Sequence, residues 1–244
     1  MRTIRCFTDQ PLAPGGVATL SESATGHLVR VLRLGVGDAV VLFNGDGKDF
    51  AATLRSVGKR GAEAEVTDAR PVANESPLRI TLAQGIARGE KMDWVLQKGT
   101  ELGVAAFAPV STDRTEVKLD AERAAKRLAH WQAILVSACE QSGRARLPRL
   151  AEPLSLANYA AAEAAPVKLV LDPTADLGLH DLSLPAAADV ALLVGPEGGL
   201  SERDLATARA AGFTGLRLGP RILRTETAGL AAIAALQAVY GDLA

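Results

Sequence analysis

The sequence predicts an α/β protein with two domains, a small β-rich domain followed by a larger domain built on a parallel sheet. The chain has 244 residues, which exceeds the usual size of one compact domain and leaves room for two cores. Short β-rich runs separated by glycines fill its first part, whereas apolar runs alternate with long amphipathic stretches in the remainder. That alternation is typical of a parallel sheet covered by helices.

The N-terminal domain is predicted to be a small β-barrel or sheet. Four runs of strand-forming residues, RTIRCF, AVVLFNG, FAATLRSV and AEAEVTDA, are separated by glycine-containing turns. The polar segment RPVANESP, residues 70–77, has a proline near each end and is typical of a linker. We therefore place the two domains at residues 1–73 and 74–244.

One helical stretch, GHLVRVLRL, interrupts the strands of the first domain. Leu28, Val31 and Leu32 fall at helical spacing and define its apolar face. Arg30 and Arg33 fall on other faces, where they can meet a partner.

The C-terminal domain contains five apolar runs that predict strands, namely LRITLAQG, AAFAPV, VKLVLD, DVALLVG and LRLG. Helices are predicted between and after them, near residues 90–102, 120–142, 202–211 and 226–240. Ligands of such sheets bind at the carboxyl ends of strands. The loops after VKLVLD, DVALLVG and GLRLG are therefore where chemistry is expected.

Several classes of protein are excluded by composition. Cys6 and Cys139 are far apart and belong to no Cys/His cluster, so neither a disulfide framework nor a zinc site is indicated, and we assign no metal. No run approaches the roughly 20 apolar residues of a membrane span, and the N-terminal residues lack the apolar core of a signal peptide. A cytoplasmic location is expected.

The net charge of −1 hides a segregation of charge along the chain. Residues 79–150 hold 12 Lys and Arg against 8 Asp and Glu, whereas residues 151–244 hold 6 against 11. A local basic surface can therefore bind nucleic acid despite the acidic average, although a solvated helix face gives the same pattern.

The strongest local motif is G-P-E-G-G-L at residues 195–200, between the strand DVALLV and a helix that Ser201 and Asp204 can cap reciprocally. Glycines permit positive φ and let a ligand approach the main chain closely, which suits recognition of an adenine edge. The loop lacks the Lys-Ser/Thr of a phosphate-binding loop and the spacing of a dinucleotide fingerprint, so nucleoside triphosphates and NAD are poorly supported. An isolated glycine cluster can also be a simple turn.

A second Gly-Pro loop, L-G-P-R-I-L-R-T-E-T-A at residues 218–228, leads into the last helix. The start of this helix offers Thr225 as N-cap and Glu226 in the first turn. Together the two loops resemble the SPOUT methyltransferases and, within them, the RsmE family. Three further segments are similar to that family and extend the resemblance over almost the whole chain: residues 27–38, 98–103 and 140–144.

The resemblance implies a PUA-like N-terminal domain, a SPOUT C-terminal domain with a trefoil knot around the cofactor, and a homodimer. It also implies methylation by S-adenosyl-L-methionine of N3 of a specific uridine in 16S ribosomal RNA of the small subunit. A general topology rule disfavours knots, so the knot is expected from the resemblance alone. The matching positions expected to bind the cofactor are Leu171, Gly195, Pro196, Glu197, Gly198, Gly199, Leu218, Gly219, Ile222, Leu223 and Thr225.

The implied chemistry selects a set of candidate catalytic residues. Uracil N3 carries a proton, so its attack on a sulfonium methyl group needs that proton removed or the resulting anion stabilised. Carboxylates and cations within the family-like motifs can do this, and they are Glu140, Arg144, Arg221, Arg224 and Glu226. The motifs do not choose among them. Helix capping by Glu226 and a solvated helix position for Glu140 stay open as alternatives.

RNA contacts are expected from basic residues spread over both domains, because phosphate binding rewards distributed Lys and Arg. These residues are Arg2, Arg5, Arg30, Arg33, Arg114, Lys118, Arg144 and Arg146. Two other functions stay open. One is a SPOUT methyltransferase acting on a ribose 2′-hydroxyl or on transfer RNA. The other is a non-catalytic RNA-binding protein, against which the intact loop motifs speak.

Overall fold

The computed structural model describes residues 4–58, 61–117 and 121–243, and the chain divides into two compact units. The first unit holds the N-terminal residues up to Glu75 together with Val136–Leu147. The second holds Ser76–Leu135 and the chain from Pro148 onward. The sequence placed residues 136–147 in the second domain, whereas the structure groups them with the first unit.

The first unit is built on a five-stranded sheet with the strand order β1-β3-β4-β5-β2. Strands β1 and β3 pair in parallel, and the other neighbours are antiparallel. Alternate residues of β4 and β5 are buried, as expected for a sheet with one face against a core. The small N-terminal β domain is thus confirmed. Its strands are β1 (Arg5–Phe7), β2 (Val17–Leu20), β3 (Ala39–Phe43), β4 (Lys48–Val57) and β5 (Ala62–Pro71).

The helical stretch of the first unit begins earlier than the sequence indicated. Helix α1 (Glu22–Gly26) starts after Ser21, whose side chain accepts a hydrogen bond from the N–H of Ala24. One π-helical turn, His27–Val31, continues from it. Ser21 is a good N-cap residue that lay outside the apolar pattern, which is why periodicity alone placed the start too late.

The second unit is an α/β domain whose seven-stranded sheet has the order β12-β10-β11-β6-β7-β8, with β9 also paired to β7. All these strand pairs are parallel, which confirms the predicted class. Its strands are β6 (Arg79–Gly85), β7 (Ala106–Ser111), β8 (Arg149–Leu150), β9 (Leu154–Ser155), β10 (Val167–Leu171), β11 (Asp189–Val194) and β12 (Thr214–Leu216).

Five further helices follow the predicted alternation closely, apart from the short α4, which the sequence did not suggest. They are α2 (Glu90–Glu101), α3 (Ala121–Ser142), α4 (Leu156–Ala162), α5 (Glu202–Ala210) and α6 (Thr225–Tyr240). The main core of the unit packs fully buried side chains of the central strands, such as Ile80 and Leu192, against Trp131 of α3 and Ile233 of α6. Burial on both sheet faces explains why these strands read as continuous apolar runs.

Within the described ranges, no helix is long and apolar enough to cross a membrane, and no group of three or more His, Cys, Asp or Glu side chains could hold a metal ion. The trefoil knot implied by the resemblance stays a prediction.

Candidate active site

A cavity of 510 Å³ lies in the second unit at the carboxyl ends of β10, β11 and β12. These three strands are neighbours in the sheet, so the loops that follow them meet at one edge. All eleven positions expected to bind a cofactor line this cavity, as do Arg221, Arg224 and Glu226. The structure thus brings two separate sequence motifs together around one space.

The first wall is the glycine loop, residues 195–200. A Cβ on Gly195 would lie 2.9 Å from the carbonyl carbon of Gly199, and Gly199 itself has φ +69°. The loop can therefore fold this tightly only with glycine at these two positions. It leads into α5, where Ser201 and Asp204 exchange side-chain-to-backbone hydrogen bonds of 3.0 and 2.9 Å, which confirms the predicted reciprocal cap.

Glu197 of this loop is held by the start of α2. Its Oε1 accepts hydrogen bonds from the N–H of Arg88, at 3.0 Å, and from Nζ of Lys91, at 3.1 Å. Burial acts to raise the pKa of the Glu197 carboxyl, but these donors outweigh burial and hold the pKa below its ordinary value. The side chain is therefore a charged anchor for the loop and a poor proton acceptor.

The second wall is the loop between β12 and α6. The sequence named Thr225 as the N-cap of α6, and this was wrong: Arg224 occupies that position without a side-chain cap bond. The hydroxyl of Thr225 instead donates to the carbonyl oxygen of Gly195 at 2.5 Å. Thr225 cannot cap its own helix because its hydroxyl is used to join the two walls.

Two ionisable side chains of this second wall line the cavity. Glu226 lies in the first turn of α6, and its Oε2 is buried without a hydrogen-bond partner among the described residues. Arg224 is exposed. Because a buried carboxylate oxygen without a partner is costly, it is a natural acceptor for a donor or cation brought by a ligand. The favourable interaction of Glu226 with the helix dipole is compatible with that use.

The other two catalytic candidates, Glu140 and Arg144, belong to the first unit. Arg144 is buried and forms a bidentate pair with Glu75, with N–O distances of 3.0 and 2.6 Å. Oε1 of Glu140 accepts a hydrogen bond from the N–H of Phe7 at 3.0 Å. Burial raises the pKa of the Glu140 carboxyl, and the Phe7 N–H offsets this only in part. Both side chains therefore have structural partners within their own unit.

The expected RNA-binding arginines divide into exposed and engaged side chains. Arg30, Arg33 and Arg146 are exposed. Arg5 is almost fully buried, ion-paired with Asp49, and donates to the carbonyl oxygen of Arg144 at 3.0 Å. Its position favours a structural role. Arg2 and Lys118 lie outside the described residues.

Arg114 is exposed, does not line the cavity and supports its first wall through a hydrogen bond. Its Nη1 donates to the carbonyl oxygen of Gly198 at 2.9 Å. Close by, Asp113 accepts a hydrogen bond from the hydroxyl of Ser201 at 2.8 Å. These two hydrogen bonds hold the loop after β7 against the glycine loop and the start of α5. Arg114 therefore has a structural role in addition to the RNA contact expected from the sequence.

Sequence reasoning missed two polar residues that support the walls. Gln84, at the end of β6, is fully buried and bonded to both walls. Asp172, which lines the cavity just after β10, pairs with Arg209 at 2.9 Å. Burial acts to raise the pKa of Asp172, but bonds from Thr174 and the guanidinium of Arg209 lower it below its ordinary value. The sequence did offer one signal for both residues: each is a polar side chain at or next to the end of an apolar run, Gln84 in LAQG and Asp172 in VKLVLD.

Family models match both parts of the chain. A model described as RNA methyltransferase domain matches residues 74–237, and one described as RNA methyltransferase PUA domain matches residues 20–67. Ribosomal RNA small subunit methyltransferase E of Bacillus subtilis (strain 168) is 32% identical over 238 residues, covering 94% of this chain and 93% of that protein. The protein of the same name from Buchnera aphidicola subsp. Schizaphis graminum (strain Sg) is 34% identical, covering 93% and 92%.

Two solved structures are similar over the whole chain. A putative methyltransferase from Legionella pneumophila, in complex with bound S-adenosylmethionine, is 42% identical with a TM-score of 0.96, and the match covers 100% of both chains. A ribosomal RNA small subunit methyltransferase E from Neisseria gonorrhoeae, bound to S-adenosylmethionine, is 41% identical with a TM-score of 0.92 and the same coverage.

Proposed function

We propose that this chain, which belongs to the RNA methyltransferase family that includes ribosomal RNA small subunit methyltransferase E, methylates N3 of a specific uridine in 16S ribosomal RNA with S-adenosylmethionine as the methyl donor. The observation that carries the proposal is the cavity between the two glycine-containing loops. Relatives of 42% and 41% identity that share the fold were solved with this cofactor bound.

The residues around the cavity fit S-adenosylmethionine in size and in chemistry. Its 510 Å³ falls within the roughly 300–1,000 Å³ of pockets for ligands of this size. Leu171, Leu216 and Leu218 provide apolar walls, and the glycine loop provides main-chain groups that a base edge can reach. Oε2 of Glu226, which has no hydrogen-bond partner in the residues that the structure describes, supplies an acceptor for a ligand that carries positive charge. When bound, the cofactor supplies an electrophilic methyl group on sulfur.

The chain's own contribution to the reaction is to handle the proton and the charge of uracil. Among the five candidates, Glu226 and Arg224 line the cavity, and Oε2 of Glu226 has no hydrogen-bond partner among the described residues. We assign to Glu226 the acceptance of the N3 proton and to Arg224 the stabilisation of negative charge on the uracil oxygens. Arg221, which is also exposed at the cavity, is a second cation for the same purpose.

The reaction can be tested with the purified chain, S-adenosylmethionine and 16S ribosomal RNA, followed by mass spectrometry of the digested nucleosides. We expect N3-methyluridine that is absent when the cofactor is left out. Ribosomal RNA from cells lacking this chain should lack the same modification. A 2′-O-methylated product, or modification of transfer RNA alone, would contradict the proposed position, and no methylation of any RNA would contradict the enzyme itself.

We assign RNA affinity mainly to the first unit, where Arg30 and Arg33 are exposed. Phosphate contacts by such side chains displace counterions, so their loss flattens the salt dependence of binding. Arg30→Ala with Arg33→Ala should weaken RNA binding and reduce its salt slope, measured by fluorescence anisotropy at several salt concentrations, while calorimetry of S-adenosylmethionine binding stays at the parental value. RNA affinity and salt slope equal to the parent would assign the helix to structure and move the RNA surface elsewhere.

The proposed assembly is a homodimer acting in the cytoplasm, with the small ribosomal subunit as the natural context of the RNA. Support for the dimer comes from α6, which is apolar around most of its circumference and leaves Val239 58% exposed. A monomeric mass in solution at micromolar concentration would contradict it.

A further inference from the structure

Gln84, the penultimate residue of β6, does not line the cavity but forms hydrogen bonds to both of its walls. Its side chain is fully buried. Its amide nitrogen lies 2.9 Å from the hydroxyl oxygen of Thr225, 3.4 Å from the carbonyl oxygen of Gly195 and 2.9 Å from that of Gly85. Since the amide has two hydrogens, one of them is shared between two of these acceptors. One buried amide group therefore connects the central strand, the glycine loop and the first turn of α6.

Gly85, the next residue, lets the glycine loop pack directly on the end of β6. A Cβ at this position would lie 2.5 Å from both Cδ and N of Pro196 and 2.8 Å from the carbonyl carbon of Gly195. These atoms are a rigid ring and backbone, so they cannot move aside as the tip of a flexible side chain would. Any other residue at this position must push the loop away from the strand.

We infer that Gln84 and Gly85 are positioning residues for the cofactor: together they fix the glycine loop, residues 195–200, against the first turn of α6 so that the cavity has the shape the cofactor needs. The inference rests on the proposed function. The carbonyl oxygen of Gly195 accepts from both Gln84 and Thr225, which commits it to the protein interior. Only the nitrogen of this buried amide is bonded, because Oε1 of Gln84 has no hydrogen-bond partner among the described residues. Two of the nitrogen's contacts go to the two loops that form the cavity.

A second fully buried glutamine in the same unit provides a matched control. Gln237 of α6 accepts a hydrogen bond from the hydroxyl of Ser76 at 2.6 Å and donates to the carbonyl oxygen of Leu102 at 3.3 Å. None of these three residues lines the cavity. Removing either glutamine amide should cost stability, but only Gln84 should affect the cofactor.

The first test compares Gln84→Met with Gln237→Met, because methionine approximates the size of glutamine without its hydrogen bonds. We expect Gln84→Met to bind S-adenosylmethionine about tenfold more weakly than the parent in calorimetry, the loss that corresponds to one buried hydrogen bond. Gln237→Met should bind it within about twofold of the parent. Urea unfolding should show a comparable loss of stability in both variants. If Gln84→Met does not fold, Gln84→Asn replaces it in the test. Asparagine is one methylene shorter and moves the amide away from its partners, so cofactor affinity should again be lower than in the parent.

The second test uses a readout that needs no cofactor. Hydrogen exchange of the backbone amides of Gly195 and residues 197–200, measured by mass spectrometry on the ligand-free protein, should be faster in Gln84→Met and in Gly85→Ala than in the parent. The control is Gly99→Ala, whose Cβ would lie 2.9 Å from the Phe107 ring. It disturbs the core of the same unit without contacting the glycine loop, so exchange of residues 195–200 should match the parent.

The inference would be overturned if Gln84→Met bound the cofactor as tightly as Gln237→Met and if loop exchange in Gln84→Met and Gly85→Ala matched the parent. The proposed function would stay intact. A parental chain that binds no S-adenosylmethionine would instead overturn the proposed function, and the inference with it.

Discussion

The glycine loops of the second unit and the segment at residues 140–144 of the first unit both resemble the family, but their polar side chains differ in what they contact. At the cavity, Oε2 of Glu226 has no hydrogen-bond partner within the described part of the chain, and Arg224 is exposed. In the other segment, Arg144 pairs with Glu75 and Glu140 accepts from the Phe7 backbone. A motif residue with partners in the protein supports the fold, whereas one left open beside a cavity is available to a ligand.

The largest effect, on cofactor binding, is expected for Gly198→Val, which changes the glycine loop at the cavity. A Cβ at residue 198 would lie 3.0 Å from Cβ of Arg114, and valine adds two methyl groups beyond it. The loop must shift, and we expect S-adenosylmethionine to bind about tenfold to a hundredfold more weakly in calorimetry.

The control for this prediction is Gly35→Val in the first unit, where a Cβ would meet nothing within 4 Å. This variant should bind the cofactor as the parent does. Parental affinity in a folded Gly198→Val protein would mean that the cavity is not the cofactor site and would remove the basis of the comparison.

The sequence could predict features that depend on neighbouring residues but not contacts between residues that are distant along the chain. Repeating apolar patterns predicted the parallel sheet and α2, α3, α5 and α6, because each depends on local periodicity. The glycine loops were found because a tight turn requires glycine locally, as at Gly199. The partners that Gln84, Glu140 and Arg144 have across the fold could not be predicted, because these partners lie far away in the sequence. Motif matching therefore grouped residues 140–144 with the catalytic candidates.

A smaller effect, on stability, is expected for Arg144→Ala. This change leaves the Glu75 carboxylate without its bidentate partner, and we expect a loss of about 2 kcal/mol in the free energy of unfolding, below the usual cost of a fully buried pair because Glu75 is partly exposed. Urea unfolding measures it. Binding of S-adenosylmethionine should not change.

Arg146→Ala is the control for Arg144→Ala, since Arg146 is exposed and close in sequence, and its stability should stay within about 0.5 kcal/mol of the parent. A stable Arg144→Ala protein that binds the cofactor and RNA but has lost its methylation rate would break the comparison, because it would return Arg144 to the catalytic residues.

The smallest effect is expected for Glu140→Gln, and it depends on pH. Burial raises the pKa of Glu140 above its ordinary value, so the protonated carboxyl is favoured in the folded protein, and this contribution to stability is lost as pH rises through the folded pKa. The glutamine oxygen can still accept from the Phe7 N–H but carries no charge. Relative to the parent, Glu140→Gln should therefore gain stability between pH 4 and pH 8, measured by urea midpoints across the range.

The control for this pH dependence is Glu122→Gln, on the exposed part of α3, where the carboxylate pairs with Lys126 in solvent and should contribute less than about 0.5 kcal/mol at any pH. If the parent instead became more stable than Glu140→Gln as pH rises, the carboxylate would be stabilised by Arg5 and His27 more than burial opposes it. If Glu140→Gln kept its stability but lost methylation rate, the carboxylate would be acting on substrate. The segment at residues 140–144 would then act in the reaction, as the glycine loops do. A hydrogen bond within the protein would no longer be sufficient evidence that a motif residue is structural.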